Sequence, residues 1–201
     1  DPSVAMMRAA ATRGHAVFAI DCATLAWRRP ESARPGGVFA VAAHLHMQPD
    51  NHDWFREIGR DRIPLSDFDA VVMRRDPPFD NEYLTATWLL ERAEAAGVRV
   101  FNRPRALRDH SEKVAIAEFP QFAPETLISR DIEQLQQFID EQADVILKPL
   151  DGMGGSQIFR VRQADPNRNV IIETLTRDGG RTIMAQRYLP EIVAGDKRIL
   201  L

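Results

Sequence analysis

The chain of 201 residues can form one large domain or two small ones, with 44% hydrophobic and 27% charged residues. This composition is ordinary for a soluble globular protein, and the net charge of −3 gives no electrostatic reason to expect nucleic-acid or membrane binding. No apolar run approaches the length of a membrane-spanning helix, and the single cysteine excludes an intrachain disulfide and favours the reducing cytoplasm.

The first quarter of the chain predicts a helix, a strand and a hairpin arm. Residues 4–13 have helical spacing and end before Gly14, and the apolar run 16–20 is typical of a strand buried in a parallel sheet. Prolines and glycines collect in residues 28–37, which predicts a loop. Residues 38–47 are then expected to extend as one arm of a hairpin.

Two further strands are predicted at residues 68–73 and 98–101, on either side of an amphipathic helix at residues 81–96. Asp80 directly precedes this helix and is expected to be its N-cap. Alternation of strand, helix and strand favours an open parallel sheet with covering helices.

The pattern changes near residues 104–111, where we place a boundary between two domains, residues 1–110 and 111–201. The second domain is predicted to be a small α+β unit that covers a ligand. Its expected helices are residues 132–141 and 169–177, and its expected strands are residues 144–148, 158–161 and 182–187.

The strongest functional signal is the run VILKPLDGMGGS at residues 145–156. An apolar strand ends at Lys148, whose charge suits phosphate oxygens, and Gly152, Gly154 and Gly155 allow backbone N–H groups to approach such oxygens closely. The order differs from the P-loop, in which the lysine follows the glycines and a helix comes next. A plain glycine turn between two strands is the alternative.

A second cluster, RRDPPFD, directly follows the predicted strand at residues 68–73. Ligands of open α/β sheets bind beyond the carboxyl ends of strands. We therefore expect Arg74 to bind a substrate carboxylate, with Asp76 orienting it. The alternative is a structural Arg–Asp pair that fixes the loop to the sheet.

Other residues that suggest chemistry are expected to be structural. A metal site of His44, His46 and His52 lacks a further His or Cys nearby, so these side chains are expected to be solvated or to lie on an edge strand. Cys22 is expected to be half-buried. Trp27, Trp54 and Trp88 are expected to be packing anchors.

Taken together, these motifs resemble the bacterial glutathione synthetase family of ATP-grasp ligases, from about Ser3 to the last residue. The resemblance implies an α/β fold: an N-terminal open parallel-sheet, Rossmann-like domain precedes an ATP-grasp α+β domain, and both are expected to be truncated at the chain's ends. The segments that carry it are MRRDPPFD (73–80), LRDHSEK (107–113), ILKPLDGMGG (146–155), MAQRYLP (184–190) and GDKR (195–198).

The resemblance also implies roles for individual residues. Lys113 and Lys148 are expected to contact ATP phosphates beneath the glycine loop, although Lys113 taken alone is typical of a solvated lysine. Ser3 is expected near the peptide substrate. The hinge that binds the adenine edge is expected to consist of Gln186, Arg187, Tyr188 and Leu189. Asp196 is expected to contact the ribose, and Arg198 is expected to be the catalytic residue that contacts the phosphoryl group.

The implied activity is the ATP-dependent joining of γ-glutamylcysteine to glycine through an acyl phosphate, with ATP and Mg²⁺ as cofactors and a homo-oligomer such as a tetramer. Another ATP-grasp carboxylate–amine ligase and a non-catalytic ATP-binding module remain as alternatives. No residue is assigned to the metal, because the magnesium ligands of the family are expected beyond residue 201. Residues 1–201 alone are therefore expected to be inactive.

Overall fold

The computed structural model describes residues 2–29, 36–76, 78–152 and 154–197. The chain divides into two compact units, Asp1–Asp109 and His110–Leu201, and each has a hydrophobic core of its own. In the described part of the chain, every helix is too short or too polar to cross a lipid bilayer.

The N-terminal unit contains a four-stranded antiparallel sheet whose longest strand is β3 (Gly37–Met47). β1 (Val17–Ile20), β2 (Ala26–Arg28) and β4 (Phe55–Pro64) all pair with β3. The predicted hairpin arm at residues 38–47 is thus confirmed. Its partner β4 was not predicted, because the many charged residues of β4 hide any strand periodicity.

The prediction that residues 16–20 belong to a parallel sheet is wrong, because β1 runs antiparallel to β3. Among the four residues of β1 only Val17 is buried, whereas strands of parallel sheets are covered on both faces. A short apolar run fixes neither the partner nor the direction of a strand. In the described residues, parallel pairing occurs between β5 (Val71–Val72) and β6 (Val100–Phe101).

The helices of this unit are α1 (Pro2–Thr12), α2 (Asn81–Ala95) and α3 (Pro104–Asp109). The first two confirm the helices predicted at residues 4–13 and 81–96, whereas α3 was not predicted and lies where the domain boundary was placed. The Asp80 carboxylate accepts the N–H of Tyr83 at 2.8 Å, which confirms the predicted N-cap.

Several structural expectations in this unit need correction. The strand predicted at residues 68–73 is reduced to β5, and residues 30–35 of the predicted loop lie outside the described residues. Trp27 and Trp88 are each 52% exposed and are not packing anchors, whereas Trp54 packs beside a small cluster that includes Leu45. A tryptophan count alone does not tell which face of an element the ring occupies.

His46 and His52 are exposed, as expected, but the expectation for His44 is wrong. His44 is half-buried on β3, which pairs with β1 on one side and β4 on the other and is therefore not an edge strand, and its ring stacks on Phe18 with ring centroids 4.6 Å apart. Cys22 is half-buried against the core, and burial raises the pKa of its thiol.

The C-terminal unit is built on one antiparallel sheet of four strands. The strands are β7 (Thr126–Ser129), β8 (Asp144–Pro149), β9 (Phe159–Arg162) and β10 (Ile183–Arg187), in the spatial order β7-β10-β8-β9. Helices α4 (Ile132–Gln142) and α5 (Arg168–Thr176) cover one face. The strands and helices predicted for this unit are confirmed, with boundaries shifted by one or two residues.

Candidate functional site

The open face of the C-terminal sheet presents Lys148 and Gln186. Residues alternate between faces along a strand, so Val145 and Leu147 point into the core while Lys148 points away from it. The register of β10 on β8 places Met184 directly opposite Lys148 and Gln186 opposite Ile146, two residue pairs further along and on the same face.

Lys148 is held by a chain of hydrogen bonds that crosses the sheet. Its Nζ donates to Oε1 of Gln186 at 2.7 Å, and Nε2 of Gln186 donates to Oγ1 of Thr126 at 2.9 Å. The Thr126 hydroxyl donates in turn to the carbonyl of Pro124 at 2.7 Å. Because Gln186 is only 8% exposed, these bonds fix the orientation of its amide.

The pKa of Lys148 is lowered, first because burial removes water from the ammonium and second because the positive charge of Lys113 lies nearby. Glu112 opposes this shift. Two like charges that share one partly buried place are unfavourable unless an anion joins them.

Lys113 approaches the same place from a separate segment, just before a short 3-10 helix, Val114–Glu118. Its Nζ donates to the carbonyl oxygen of Gly152 at 2.7 Å and lies 3.5 Å from the Glu112 carboxylate. Only 15% of the Lys113 side chain is exposed, so it is not the solvated lysine that its local sequence indicates.

The glycine run forms the loop between β8 and β9, which pair as an antiparallel hairpin as predicted. Gly154 and Gly155 have φ angles of +65° and +77°, in the left-handed region that favours glycine. A Cβ on Gly152 would lie 3.0 Å from Cγ of Pro149, so a side chain there would require the proline ring to shift by a few tenths of an ångström. Met153 lies outside the described residues.

Two adjoining cavities lie beside the lysines, both within the C-terminal unit. The first has a volume of about 190 Å³ and is lined by Lys113, Lys148 and the three glycines of the loop. The second, of about 460 Å³, shares both lysines but is otherwise mainly apolar. Its further lining residues are Glu112, Ala115, Ile116, Phe119, Phe122 and Met184.

A cationic cavity bordered by glycines and joined to an apolar one suits a ligand with an anionic end and a flat apolar end. The aromatic lining by Phe119 and Phe122 was not predicted from the sequence. The apolar residues that directly follow Lys113 were the available signal. Thr126 was missed because only the strand pairing places it opposite Gln186.

The residues expected at the adenine hinge occupy the end of β10 and the segment after it. Arg187 forms an ion pair with Glu125, which holds the pKa of that carboxyl below its usual value. The Arg160 guanidinium lies 3.5 Å from the ring centroid of Tyr188. Leu189 is 42% exposed.

Asp196, which is expected to contact the ribose, does not lie on a strand. Residues 195–197 have no regular secondary structure, and the exposed Asp196 follows Gly195, whose φ of +102° departs from a strand conformation. Arg198, the expected catalytic residue, lies outside the described residues.

In the N-terminal unit, Arg74 is exposed and its Nε donates to Oγ of Ser3 at 3.3 Å. Ser3 and Arg74, both expected at the substrate, are therefore neighbours. Within the described residues Arg74 forms no ion pair with the exposed Asp76, so the expected orienting contact is absent there. Pro77, which directly follows Asp76, lies outside the described residues.

The described residues do not by themselves fit a magnesium site. Among the lining residues of the two cavities, Glu112 is the one carboxylate, and no cluster of three or more acidic, His or Cys side chains is found in the described ranges. Asp151, at the start of the glycine loop, is already paired with Arg181. Mg²⁺ ordinarily takes one or two carboxylates beside the phosphates.

Solved structures share this fold. The ATP-grasp ligase PsnB complexed with minimal precursor superposes with a TM-score of 0.52 over 94% of this chain and 60% of its own, at 19% identity. The macrocyclase MdnC from Microcystis aeruginosa gives a TM-score of 0.51 over 94% and 61%, at 14% identity. This likeness shows that the chain has the fold of the ATP-grasp class, and the lysines and the glycine hairpin lie within that fold.

The sequence itself narrows the class. Residues 1–108 match the family described as prokaryotic glutathione synthetase, N-terminal domain, and residues 112–201 match its ATP-grasp domain. Glutathione synthetases of Ralstonia nicotianae and Nitrosomonas europaea are each 52% identical over 100% of this chain, and that of Escherichia coli O157:H7 is 44% identical. The chain belongs to the prokaryotic glutathione synthetase family, which confirms the resemblance.

The chain spans 60 to 62% of the length of these three relatives. Both family domains are represented in it, and the matched ranges coincide with the two compact units within a few residues.

Proposed function

We propose that this protein joins γ-glutamylcysteine to glycine at the expense of ATP, through an acyl phosphate. The observation that carries the proposal is the convergence of Lys113, Lys148 and the glycine hairpin on one cavity, in a chain of the glutathione synthetase family. We further propose a homo-oligomer, as the family resemblance implies, that acts in the cytoplasm, which the single cysteine favours.

The two lysines are suited to a triphosphate because each ammonium is hydrogen-bonded to an uncharged oxygen. Lys113 donates to the Gly152 carbonyl and Lys148 to the Gln186 amide. Neither acceptor is charged, and the one carboxylate near the pair, that of Glu112 at 3.5 Å from Lys113, is 70% exposed, so the two ammoniums together keep a net positive charge for phosphate oxygens. The loop glycines add backbone N–H groups that approach the same oxygens without steric conflict.

The apolar cavity is assigned to the nucleoside. Phe119 and Met184 offer an apolar surface to an adenine ring. Hydrogen bonds from the backbone of residues 186–189 to the adenine edge are assigned on family resemblance alone, because these residues do not line the cavity and the N–H groups of Arg187 and Tyr188 already donate to the carbonyls of Glu125 and Asp144. Asp196 is assigned to a ribose hydroxyl and Arg198 to the charge of the transferring phosphoryl group, both on family resemblance.

The reaction has two steps. A carboxylate oxygen of the dipeptide attacks the γ-phosphorus of ATP, the bond to the β-phosphate oxygen breaks, and ADP leaves. The glycine amine then attacks the acyl carbon, loses a proton and expels phosphate. The chain's contribution is to orient the reactants and to offset their negative charge.

Arg74, with Ser3, is assigned to a carboxylate of the dipeptide. A guanidinium suits this role because it binds a carboxylate through two parallel hydrogen bonds. Mg²⁺ is proposed as the ion that accompanies ATP and neutralises its phosphates, with no ligand assigned among the described residues.

Because residues 1–201 alone are expected to be inactive, the proposal is tested on the full-length protein, by measuring ADP release with ATP, Mg²⁺, γ-glutamylcysteine and glycine, beside a panel of other acid–amine pairs. We expect turnover with this pair and loss of turnover in Lys113→Met. Arg105→Met, at an exposed ion pair outside the assigned residues, is the control and retains turnover. Preference for another pair identifies a different carboxylate–amine ligase, and nucleotide binding without turnover of any pair identifies a non-catalytic module.

A further inference from the structure

One side chain outside the two cavities holds both ends of the glycine loop, residues 150–158. The Arg181 guanidinium donates to Oδ1 of Asp151, at the start of the loop, and to Oε1 of Gln157, 3.3 Å away at its end. Arg181 itself is not among the described residues that line either cavity. Its influence on a ligand there is therefore exerted through the loop.

Arg181 is attached to rigid parts of the unit. Its backbone N–H donates to the carbonyl of the buried Thr176 at the end of α5, and β10 begins two residues later. Only 19% of its side chain is exposed. The two loop contacts are thus made from a fixed position and not from a mobile surface residue.

The contacts match the chemistry of the groups. A guanidinium presents several N–H donors in a planar fork and binds two acceptors at once, which a lysine ammonium does with less defined geometry. Burial raises the pKa of Asp151, but the hydrogen bond and charge of Arg181 outweigh this and keep it lowered, so the carboxylate is ionised. Gln157 has a φ of +59°, which is uncommon outside glycine and needs support from its surroundings.

We infer that Arg181 is a positioning residue, which fixes both ends of the glycine loop so that its backbone faces the cavity of Lys113 and Lys148. The identity of the ligand as a nucleotide rests on the proposed function. The role of Arg181 in fixing the loop is independent of the proposed function, because its contacts with Asp151 and Gln157 involve no ligand.

The test compares Arg181→Met with Arg168→Met as a matched control. Arg168 forms an ion pair of similar exposure with Asp140, 2.6 Å away, and contacts neither the loop nor the cavities. Two quantities are measured: amide hydrogen exchange of the loop without nucleotide, and the Kd for AMP-PNP with Mg²⁺.

In Arg181→Met the loop amides are expected to exchange about tenfold faster and the Kd to rise about tenfold, the scale of one charged hydrogen bond. Amides of β8 and β10 keep their protection. Arg168→Met changes neither quantity. The double variant Arg181→Asp with Asp151→Arg exchanges the two charges and is expected to regain part of the loop protection and part of the AMP-PNP affinity lost in Arg181→Met. A general loss of stability would not allow this recovery.

Loop exchange equal to the wild type in Arg181→Met overturns the inference, and so does faster exchange with an unchanged Kd. If Arg181→Met does not fold, Gln157→Met removes one loop contact alone and is expected to loosen the end of the loop; unchanged exchange there overturns the inference as well. A wild type that binds no AMP-PNP contradicts the proposed function, while the exchange measurement still decides the role of Arg181.

Discussion

The two faces of the C-terminal sheet differ sharply although they are built from the same strands. On the covered face, Leu147 and Ile183 are fully buried among residues of α4 and α5. On the open face, Lys148 and Gln186 lie next to each other, and the ammonium lies where burial lowers its pKa. One face is built for stability, and the other places a charge where it is costly.

Neighbouring residues of β8 therefore serve opposite purposes. Leu147 stabilises the fold because its side chain is removed from water. Lys148 carries its charge in a partly dehydrated place, which is unfavourable for folding and suits the binding of an anionic ligand. Residues that reduce stability in this way are typical of functional sites, and their replacement often leaves a protein as stable as before. The comparison can be tested by changing each face separately.

The largest effect is expected from Leu147→Ala on the covered face. Removing a fully buried leucine leaves a cavity against α4 and α5 and should lower the free energy of unfolding by about 2–5 kcal/mol. Chemical denaturation measures this change. AMP-PNP affinity of the remaining folded protein should be near that of the wild type; a variant as stable as the wild type would contradict the assignment of this face.

Lys148→Met on the open face should have the opposite profile. AMP-PNP binding is expected to weaken by about 1.5–3 kcal/mol, since a charged hydrogen bond to phosphate is lost, while the melting temperature stays the same or rises. Calorimetric titration and thermal unfolding measure the two quantities. Arg162→Met, on the neighbouring strand β9 with 68% of its side chain exposed, is the control and should leave binding unchanged.

Gln186→Leu should have a smaller effect on the same binding. The substitution removes the acceptor of Lys148 and the donor to Thr126 but keeps both lysines, so AMP-PNP binding should weaken by about 1 kcal/mol. Gln186→Glu is the informative companion, because a carboxylate retains an acceptor but neutralises the ammonium. Tighter AMP-PNP binding by the Glu variant would contradict the role given to the charge of Lys148.

The smallest effect is the pH dependence of binding. The pKa of Lys148 is lowered from 10.5, so its charge is lost earlier than that of an ordinary lysine as the pH rises. AMP-PNP affinity should therefore fall as the pH rises through this lowered pKa, measured between about pH 7 and about pH 10. The fall should be weaker in Lys148→Met.

The same shift has a consequence for stability with the opposite sign. A lysine whose pKa is lowered by folding disfavours folding while it is charged, and this cost disappears as the pH rises above the folded-state pKa. The free energy of unfolding of the wild type should therefore increase relative to that of Lys148→Met as the pH rises towards 10.5. An unchanged difference would show that burial does not disfavour the charge.

The sequence predicts the covered face and part of the open face because both depend on local patterns. Alternation along β8, the position of Lys148 and the glycines of the hairpin are all contained in residues 145–156. The prediction of a solvated Lys113 from its own segment fails because its partner, the Gly152 carbonyl, is 39 residues away. The family resemblance, which expects Lys113 beneath the glycine loop, places this lysine better than its local sequence does.

What the sequence does not predict depends on pairing between distant segments. The antiparallel direction of β1 is set by its pairing with β3, and the position of Thr126 beside Gln186 is set by the register of β7 on β10. Arg181 falls in the same group, since nothing near it in the sequence indicates a contact with Asp151. Side chains that act through long-range contacts are the ones that a local reading overlooks.

The most direct test of the central claim is a crystal structure of the protein with AMP-PNP and Mg²⁺. The account predicts phosphate oxygens within hydrogen-bond distance of Nζ of both Lys113 and Lys148 and of backbone N–H groups of the glycine loop, with the adenine ring against Phe119 and Met184. A nucleotide bound elsewhere, with the two ammoniums still bonded only to Gly152 and Gln186, would contradict it.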